Sequence, residues 1–192
     1  MKTRTKVIVL GLVMAMVFCY AGIVGAESDS GTGAGANASV DLRFQILIPS
    51  FIYFRVGTVG PVVDTVDFQP TVAEVATSAT TNASGGTGTV DAVLISNGGQ
   101  VTITPSNDGG GNGLSDGGSN YISWSQIVAT PTIPGLDPPQ LSNTGGTPST
   151  ITPDSGNITA KTTQWTYVYN NPATPPASGT YTGIATYTAA IP

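Results

Sequence analysis

The chain contains no histidine and a single cysteine, Cys19, and only 9% of its residues are charged. Without histidine, a Ser-His-Asp or Cys-His nucleophile system cannot be built, and a common zinc ligand is missing. Carboxylate pairs are the remaining source of acid–base chemistry, and one candidate pair, Asp64 and Asp67, lies in VVDTVDF. On a regular strand, side chains three residues apart point to opposite faces, so we predict that the protein is not an enzyme.

The first 26 residues have the three-part arrangement of a secretory signal peptide. Three early cations, Lys2, Arg4 and Lys6, precede an apolar, helix-forming stretch over residues 7–20, and small residues end the pattern at Ala26. We predict cleavage after Ala26 and export to the periplasm, the cell surface or the medium. The alternative is a retained anchor, but the apolar stretch is short for a span of about 20 residues, so we expect no membrane span after cleavage.

Cleavage would leave three cations, Arg43, Arg55 and Lys161, beside all 11 acidic residues, and it would remove the cysteine. A surface with that excess of negative charge repels nucleic acid and anionic lipid headgroups, so we predict neither as a partner. Without a disulfide, an exported chain depends on its hydrophobic core. Thr, Ser, Gly and Val are abundant where charge is scarce, which is typical of an all-β extracellular domain.

Alternating apolar and polar residues predict strands along most of the chain after residue 38. Residues 27–38 (ESDSGTGAGANA) are small and polar, and we predict a flexible lead-in there. In residues 40–48 (VDLRFQILI) and 51–57 (FIYFRVG), aliphatic side chains share one face, and Arg43 and Arg55 lie on the opposite face. Further strands are predicted over residues 62–68, 88–96, 100–104, 121–128, 163–169 and 180–191.

Two local signals accompany these strands. Asn97, Gly98 and Gly99 separate two apolar runs and predict a β-hairpin, because such residues accept the positive φ of tight turns. The segment TVAEVATSA around Glu74 is the one place that fits a short helix, although it lacks the length and the caps that favour one. About eight short strands with almost no helix predict an all-β fold, an antiparallel two-sheet β-sandwich of immunoglobulin-like or jelly-roll type, formed by residues 39–192 as a single domain.

A glycine-rich loop is a candidate calcium site. Residues 107–120 (NDGGGNGLSDGGSN) carry oxygen ligands at Asp108, Asn112 and Asp116, separated by glycines that would let the loop wrap an ion. The spacing differs from that of an EF-hand loop, and the same composition also forms an ordinary solvated turn. Calcium is therefore one of two interpretations of this loop.

Aromatic residues alternate along a predicted strand. Trp165, Tyr167 and Tyr169 would present three rings on one face, where they could stack on the sugar rings of a glycan. The alternative, which we favour, is that this face forms the core of the sandwich, since large aromatics commonly fill it.

Phe51, Tyr53 and Arg55 form an aromatic and cationic group that suits an interface with a partner subunit, because Tyr and Arg are enriched at interfaces. Two alternatives stay open. The arginines could protect an exposed sheet edge from uncontrolled pairing, or they could form cross-strand ion pairs with aspartates.

The closing run SGTYTGIATYTAAIP, the opening strand VDLRFQILIP and the leader together resemble bacterial fimbrial-subunit-like exported proteins, including the spore coat protein U type. The resemblance implies an immunoglobulin-like sandwich with a structural or adhesive role at the cell surface, as a subunit that associates with itself or with other surface proteins. The paired cysteines of many pilin domains are absent. The lead-in also lacks the alternation of a donor strand, so residues 40–48 or 180–191 would be the better donor. The alternative function is a monomeric extracellular module that binds carbohydrate or depends on calcium.

Overall fold

Among the described residues, the first strand begins at Ile52. The computed structural model describes residues 28–86 and 88–192, and the chain divides into two units, Met1–Ile48 and Pro49–Pro192. The predicted signal peptide over residues 1–26 lies outside the described residues. Residues 28–51 contain no helix or strand, so every strand described belongs to the second unit.

Strands dominate the second unit, which confirms the predicted all-β class. A short helix, α1, spans Val72–Thr77, and single 3₁₀ turns occur at Ser84–Gly86 and Trp124–Gln126. The strands are β1 (Ile52–Val56), β2 (Thr80–Asn82), β3 (Thr89–Ser96), β4 (Val101–Asn107), β5 (Leu114–Ser115), β6 (Tyr121–Ile122), β7 (Ile127–Pro131), β8 (Gln140–Ser142), β9 (Gly145–Thr147), β10 (Ser149–Ile151), β11 (Thr159–Asn170) and β12 (Ala185–Ala190).

Two antiparallel sheets form the sandwich. In the larger sheet β1 pairs with β3, and β3 pairs with the first part of β11, whose last residues pair with β2. Strand β7 pairs with β11 residues that also pair with β3 and β2, so β7 lies on the other side of β11. The smaller sheet has the order β10–β4–β12, and β5–β6 and β8–β9 form separate two-stranded ribbons.

The core lies between the two sheets because each strand buries alternate side chains. Strand β3 contributes Ala92 and Leu94, β11 contributes its aromatic residues, and the smaller sheet contributes Val101 and Ile103. Trp165 on β11 bridges the sheets, since its ring lies 6.3 Å from that of Phe54 and 5.3 Å from that of Tyr187.

The predicted hairpin at Asn97–Gly98–Gly99 is wrong, although both of its strands exist. Strand β3 belongs to the larger sheet and β4 to the smaller one, so the turn carries the chain from one layer to the other. The Gly99 N–H donates to the Asn157 carbonyl at 2.9 Å rather than closing a two-residue turn. The apolar residues of β3 and β4 face each other across the core. A local turn signal does not distinguish this arrangement from two strands paired side by side in one sheet.

Two predicted strands are absent. Residues 40–48 have no strand partner among the described residues, and they belong to the first unit. Residues 62–67 form no strand either, and Phe68 makes a single bridge to Ala83. Alternation alone does not make a strand, because its backbone N–H and C=O groups also need a neighbour.

The helix predicted around Glu74 is confirmed as α1. Thr71 and Glu74 form a capping box: the Glu74 N–H donates to the Thr71 hydroxyl, and the Glu74 carboxylate accepts from the Thr71 N–H at 2.7 Å. The helix ends at Ser78, which adopts a left-handed conformation with φ of 54°. Reciprocal capping is what allows so short a helix to form.

Candidate functional site

Residues 40–48 carry an exposed apolar stripe. Phe44 is 82% exposed and Ile46 is 85% exposed, and Val40, Leu42 and Ile48 on the same predicted face are also exposed. Soluble proteins rarely leave so many large apolar side chains together in solvent, and such patches commonly mark interaction sites. Nine residues in an extended conformation reach about 30 Å, which is enough to run along a whole sheet edge.

Strand β1 has an open edge. Among the described residues it pairs only with β3. Directly after β1, the Gly57 N–H donates to the Asp91 carbonyl at 2.7 Å. Because antiparallel strands alternate in the direction of their hydrogen bonds, the backbone N–H and C=O groups of Ile52, Phe54 and Val56 point away from β3. The side chains of Phe54 and Val56 pack against the core, whereas that of Ile52 is exposed, and the outward backbone groups of all three have no strand partner among the described residues.

Strand β12 has a second open edge. Within the described part of the chain it pairs only with β4, and the Asp108 N–H donates to the Ile184 carbonyl at 3.2 Å. The backbone groups of Ala185, Tyr187 and Ala189 therefore point away from β4. Their side chains are half-buried against the core, so an added strand would cover apolar surface as well as backbone. Exposed edges of this kind are templates for pairing with another chain.

The predicted interface group lies on and beside β1. Phe51 is 48% exposed and Tyr53 is 47% exposed, and Tyr53 lies opposite the exposed Ile95 of β3 on the outer face of the larger sheet. Arg55 lies on the same outer face, opposite Val93, and its guanidinium donates to the Gly57 carbonyl. The three side chains thus lie along one strand at an open sheet edge.

The arginines form no ion pair within the described residues. The ion pair that the structure contains joins Lys161 Nζ to Asp154 Oδ1 at 2.6 Å. Arg55 instead acts on Asp64 at longer range: the pKa of Asp64 is lowered chiefly by hydrogen bonds from the Thr58 hydroxyl and N–H, and the Arg55 charge adds to that effect. The ion-pair interpretation of Arg55 is therefore not supported.

The aromatic residues of β11 are core residues. Trp165 is 0% exposed, Tyr167 and Tyr169 are buried, and the Trp165 Nε1–H donates to the Leu136 carbonyl at 2.7 Å. The Tyr167 hydroxyl donates to the Tyr187 hydroxyl at 3.1 Å, and burial raises the pKa of both phenols. The hypothesis that these rings stack on a glycan is wrong, since a sugar cannot reach them in this fold, and the core interpretation is confirmed.

Two side chains of the predicted calcium loop, Asp108 and Asp116, are hydrogen-bonded within the protein, whereas at Asn112 only backbone groups take part in the hydrogen bonds described. Asp116 accepts from the Gly118 N–H at 2.8 Å and from the Asn120 side-chain amide, and these bonds lower its pKa, with the Asn120 amide contributing most. Asp108 accepts from the Ile184 N–H at 2.9 Å. No cluster of three His, Cys, Asp or Glu side chains that could hold a metal occurs in residues 28–86 or 88–192. The loop therefore closes its own turns, and nothing in its geometry favours calcium.

A shallow cleft of about 300 Å³ holds two of the remaining carboxylates. It is lined by residues that include Thr58, Asp64, Thr89 and Asp91. Asp64 is held by Thr58, and Asp91 accepts from the Gln164 side-chain amide at 3.2 Å. The pKa of Asp64 is lowered, so this carboxyl stays ionised and does not suit the role of a general acid at neutral pH.

The sequence does not indicate the role of the Asn97 side chain next to β1. Asn97 was assigned to a hairpin turn, yet its side chain contacts the backbone on both sides of Ser50. Asparagine just after a strand is compatible with many turn geometries, so no signal in the sequence distinguishes this role.

No family model, curated protein or solved structure matches this chain. Among the described residues, no helix is long and apolar enough to cross a bilayer.

Proposed function

We propose that this chain is an exported, non-enzymatic structural or adhesive protein of the cell surface that assembles with copies of itself. In this proposal, residues 40–48 of one copy add as a strand to an open sheet edge of the next copy. The observation that carries the proposal is the exposed apolar stripe of residues 40–48, which has the period of a strand and no strand partner within residues 28–86 and 88–192. Export follows from the leader pattern, and the fimbria-like role from the resemblance described above.

The choice of donor follows from which strand is already used. The other candidate donor, residues 180–191, contains β12, whose residues pair with β4 in the protein's own sheet. Releasing β12 would break that pairing, whereas residues 40–48 pair with no strand in the described part of the chain. An added strand gains main-chain hydrogen bonds and covers its apolar face at the same time.

The first test changes the apolar stripe. We expect Phe44→Ser combined with Ile46→Ser to weaken self-association at least about tenfold, because each buried aromatic or aliphatic side chain contributes roughly 1.5–3 kcal/mol when it leaves water. Sedimentation velocity over a concentration series measures the association.

The matched control changes the polar face of the same segment. Asp41→Ser combined with Gln45→Ser alters two polar residues of the same segment and leaves the apolar stripe intact, so this variant should associate like the wild type. A wild-type protein that remains monomeric at every concentration would contradict the proposal and direct attention to glycan binding by a monomer. Equal association of the apolar and polar variants would contradict the role of the stripe.

A further inference from the structure

The side chain of Asn97 holds the chain at the point where residues 40–48 join the sandwich. Its Oδ1 accepts from the Phe51 N–H at 2.8 Å, and its Nδ2 donates to the Pro49 carbonyl at 2.9 Å. The Asn97 backbone N–H also donates to the Phe51 carbonyl at 3.4 Å. One carboxamide thus satisfies a donor and an acceptor on either side of Ser50.

The side chain of Asn97 supplies hydrogen bonds to the chain before β1, at the point where β3 has ended. In the register of β1 and β3, Ile52 lies opposite Ser96, so Phe51 and Asn97 form the next pair. After Ser96 the chain turns toward β4, and the Asn97 side-chain oxygen takes the place of a main-chain carbonyl for the Phe51 N–H. Pro49 has no N–H, so its carbonyl is its one backbone hydrogen-bonding group, and Asn97 reaches it.

We propose that Asn97 is a positioning residue for assembly. Its carboxamide ends the β1 ladder at Phe51 and anchors the base of the segment 40–48, so that this segment pairs with another copy. The inference rests on the proposed function. Because the chain at the base of residues 40–48 is already held in place, it loses less conformational entropy on association, and the entropic cost of binding is smaller.

The chain offers a matched control in Asn143. Its Oδ1 accepts from the Trp124 N–H at 2.8 Å, and its Nδ2 donates to the Asn112 carbonyl at 3.4 Å. As at Asn97, one carboxamide holds one backbone donor and one backbone acceptor, and the Asn143 Oδ1 accepts in addition from the Ser123 hydroxyl at 3.0 Å. The loops that Asn143 joins do not include Pro49 or Phe51, so loss of its side chain tests general destabilisation alone.

The experiment compares Asn97→Ala with Asn143→Ala in the full chain purified after export. Neither position has a positive φ, so alanine fits both backbones. We expect Asn97→Ala to lose hydrogen-exchange protection at the Phe51 amide and to weaken self-association about tenfold, the effect of roughly one lost hydrogen bond. Asn143→Ala should associate like the wild type, although its denaturation midpoint should fall similarly.

A second variant covers the case in which Asn97→Ala fails to fold. Asn97→Asp keeps the acceptor for the Phe51 N–H and loses the donor to Pro49, so it should also associate more weakly than the wild type. Wild-type association in the Asn97 variants, or equal weakening in Asn143→Ala, would overturn the inference. If the wild type is monomeric at every concentration, the proposed function fails and the assembly role of Asn97 fails with it. Unchanged Phe51 protection in Asn97→Ala would overturn the anchor itself, whatever the state of association.

Discussion

The two tryptophans of the core show how much of a residue's role depends on one atom. Both side chains are buried, and in the sequence both occupy strand-like runs of similar character. The Trp165 Nε1–H donates to the Leu136 carbonyl, whereas the Trp124 Nε1–H is buried without a hydrogen-bond partner among the described residues. Burying a polar group without a partner has a free-energy cost, so the two indoles contribute differently to stability.

Replacing each tryptophan with phenylalanine separates these contributions. We expect Trp165→Phe to lower the free energy of unfolding by about 2 kcal/mol more than Trp124→Phe, because it leaves the buried Leu136 carbonyl unsatisfied. Both changes remove the same atoms, so the cavity contributions largely cancel. Urea denaturation of the two variants measures the difference, and equal losses would contradict the assigned role of the Leu136 hydrogen bond.

At the scale of elements, alternate residues of an edge strand differ in how much stability is lost when their N–H group is removed. On β12 the even-numbered residues bond to β4 and the odd-numbered residues direct their N–H groups to the open edge. The outward side chains of β12 are Thr186, Thr188 and Ala190, which are small, uncharged and exposed. Charge therefore does not protect this edge, in contrast to β1 with its Arg55.

Proline substitutions at the adjacent residues Ala189 and Ala190 test the assigned direction of the β12 hydrogen bonds. Ala190→Pro removes an N–H that bonds to β4 and should cost about 3 kcal/mol or more, whereas Ala189→Pro removes an N–H at the open edge and should cost much less. Chemical denaturation midpoints measure the stability of each variant. If β12 accepts the added strand, Ala189→Pro should also weaken association while the monomer stays folded. The opposite order of stabilities would show that the hydrogen-bond direction assigned to β12 is wrong.

At the scale of the whole molecule, stability should depend on pH only at the extremes. The pKa values of Asp64, Glu74, Asp116 and Asp154 are lowered by hydrogen bonds, of which the largest to Asp154 comes from the Ala160 N–H and the largest to Glu74 from the Thr71 N–H. A folded pKa below the unfolded one gives stability above about pH 4 that is lost as the pH falls toward the folded value. These groups are exposed, so the loss should be gradual.

The alkaline limit comes from the buried phenols. Burial raises the pKa of Tyr167 and Tyr187, so stability should change little from above the acid transition to about pH 10 and should fall as the pH rises above the unfolded phenol value. No histidine titrates between these limits. Thermal midpoints from acid to alkaline pH, followed together with phenolate absorbance, check the profile. A transition near neutral pH, or free phenolate formation in the folded protein near pH 10, would contradict it.

The sequence by itself determined the class of the fold, because alternation at period two, scarce charge and abundant Thr and Val leave few other ways to bury apolar side chains. The segment around Glu74 also fitted a short helix, but the capping box formed by Thr71 and Glu74 is seen only in the structure. The shared face of the β11 aromatics followed from their alternation as well, and their burial in the structure shows that this face is the inner one.

Only the tertiary structure decided which strands are neighbours. The signal at Asn97–Gly98–Gly99 indicated a turn correctly, but whether the turn joins neighbours in one sheet or crosses between sheets depends on partners distant in the chain, such as β1, β10 and β11. The same holds for residues 40–48, whose alternation was visible but whose lack of a partner was not. A strand needs hydrogen bonds from another strand, so its existence is a property of the whole fold rather than of its own residues.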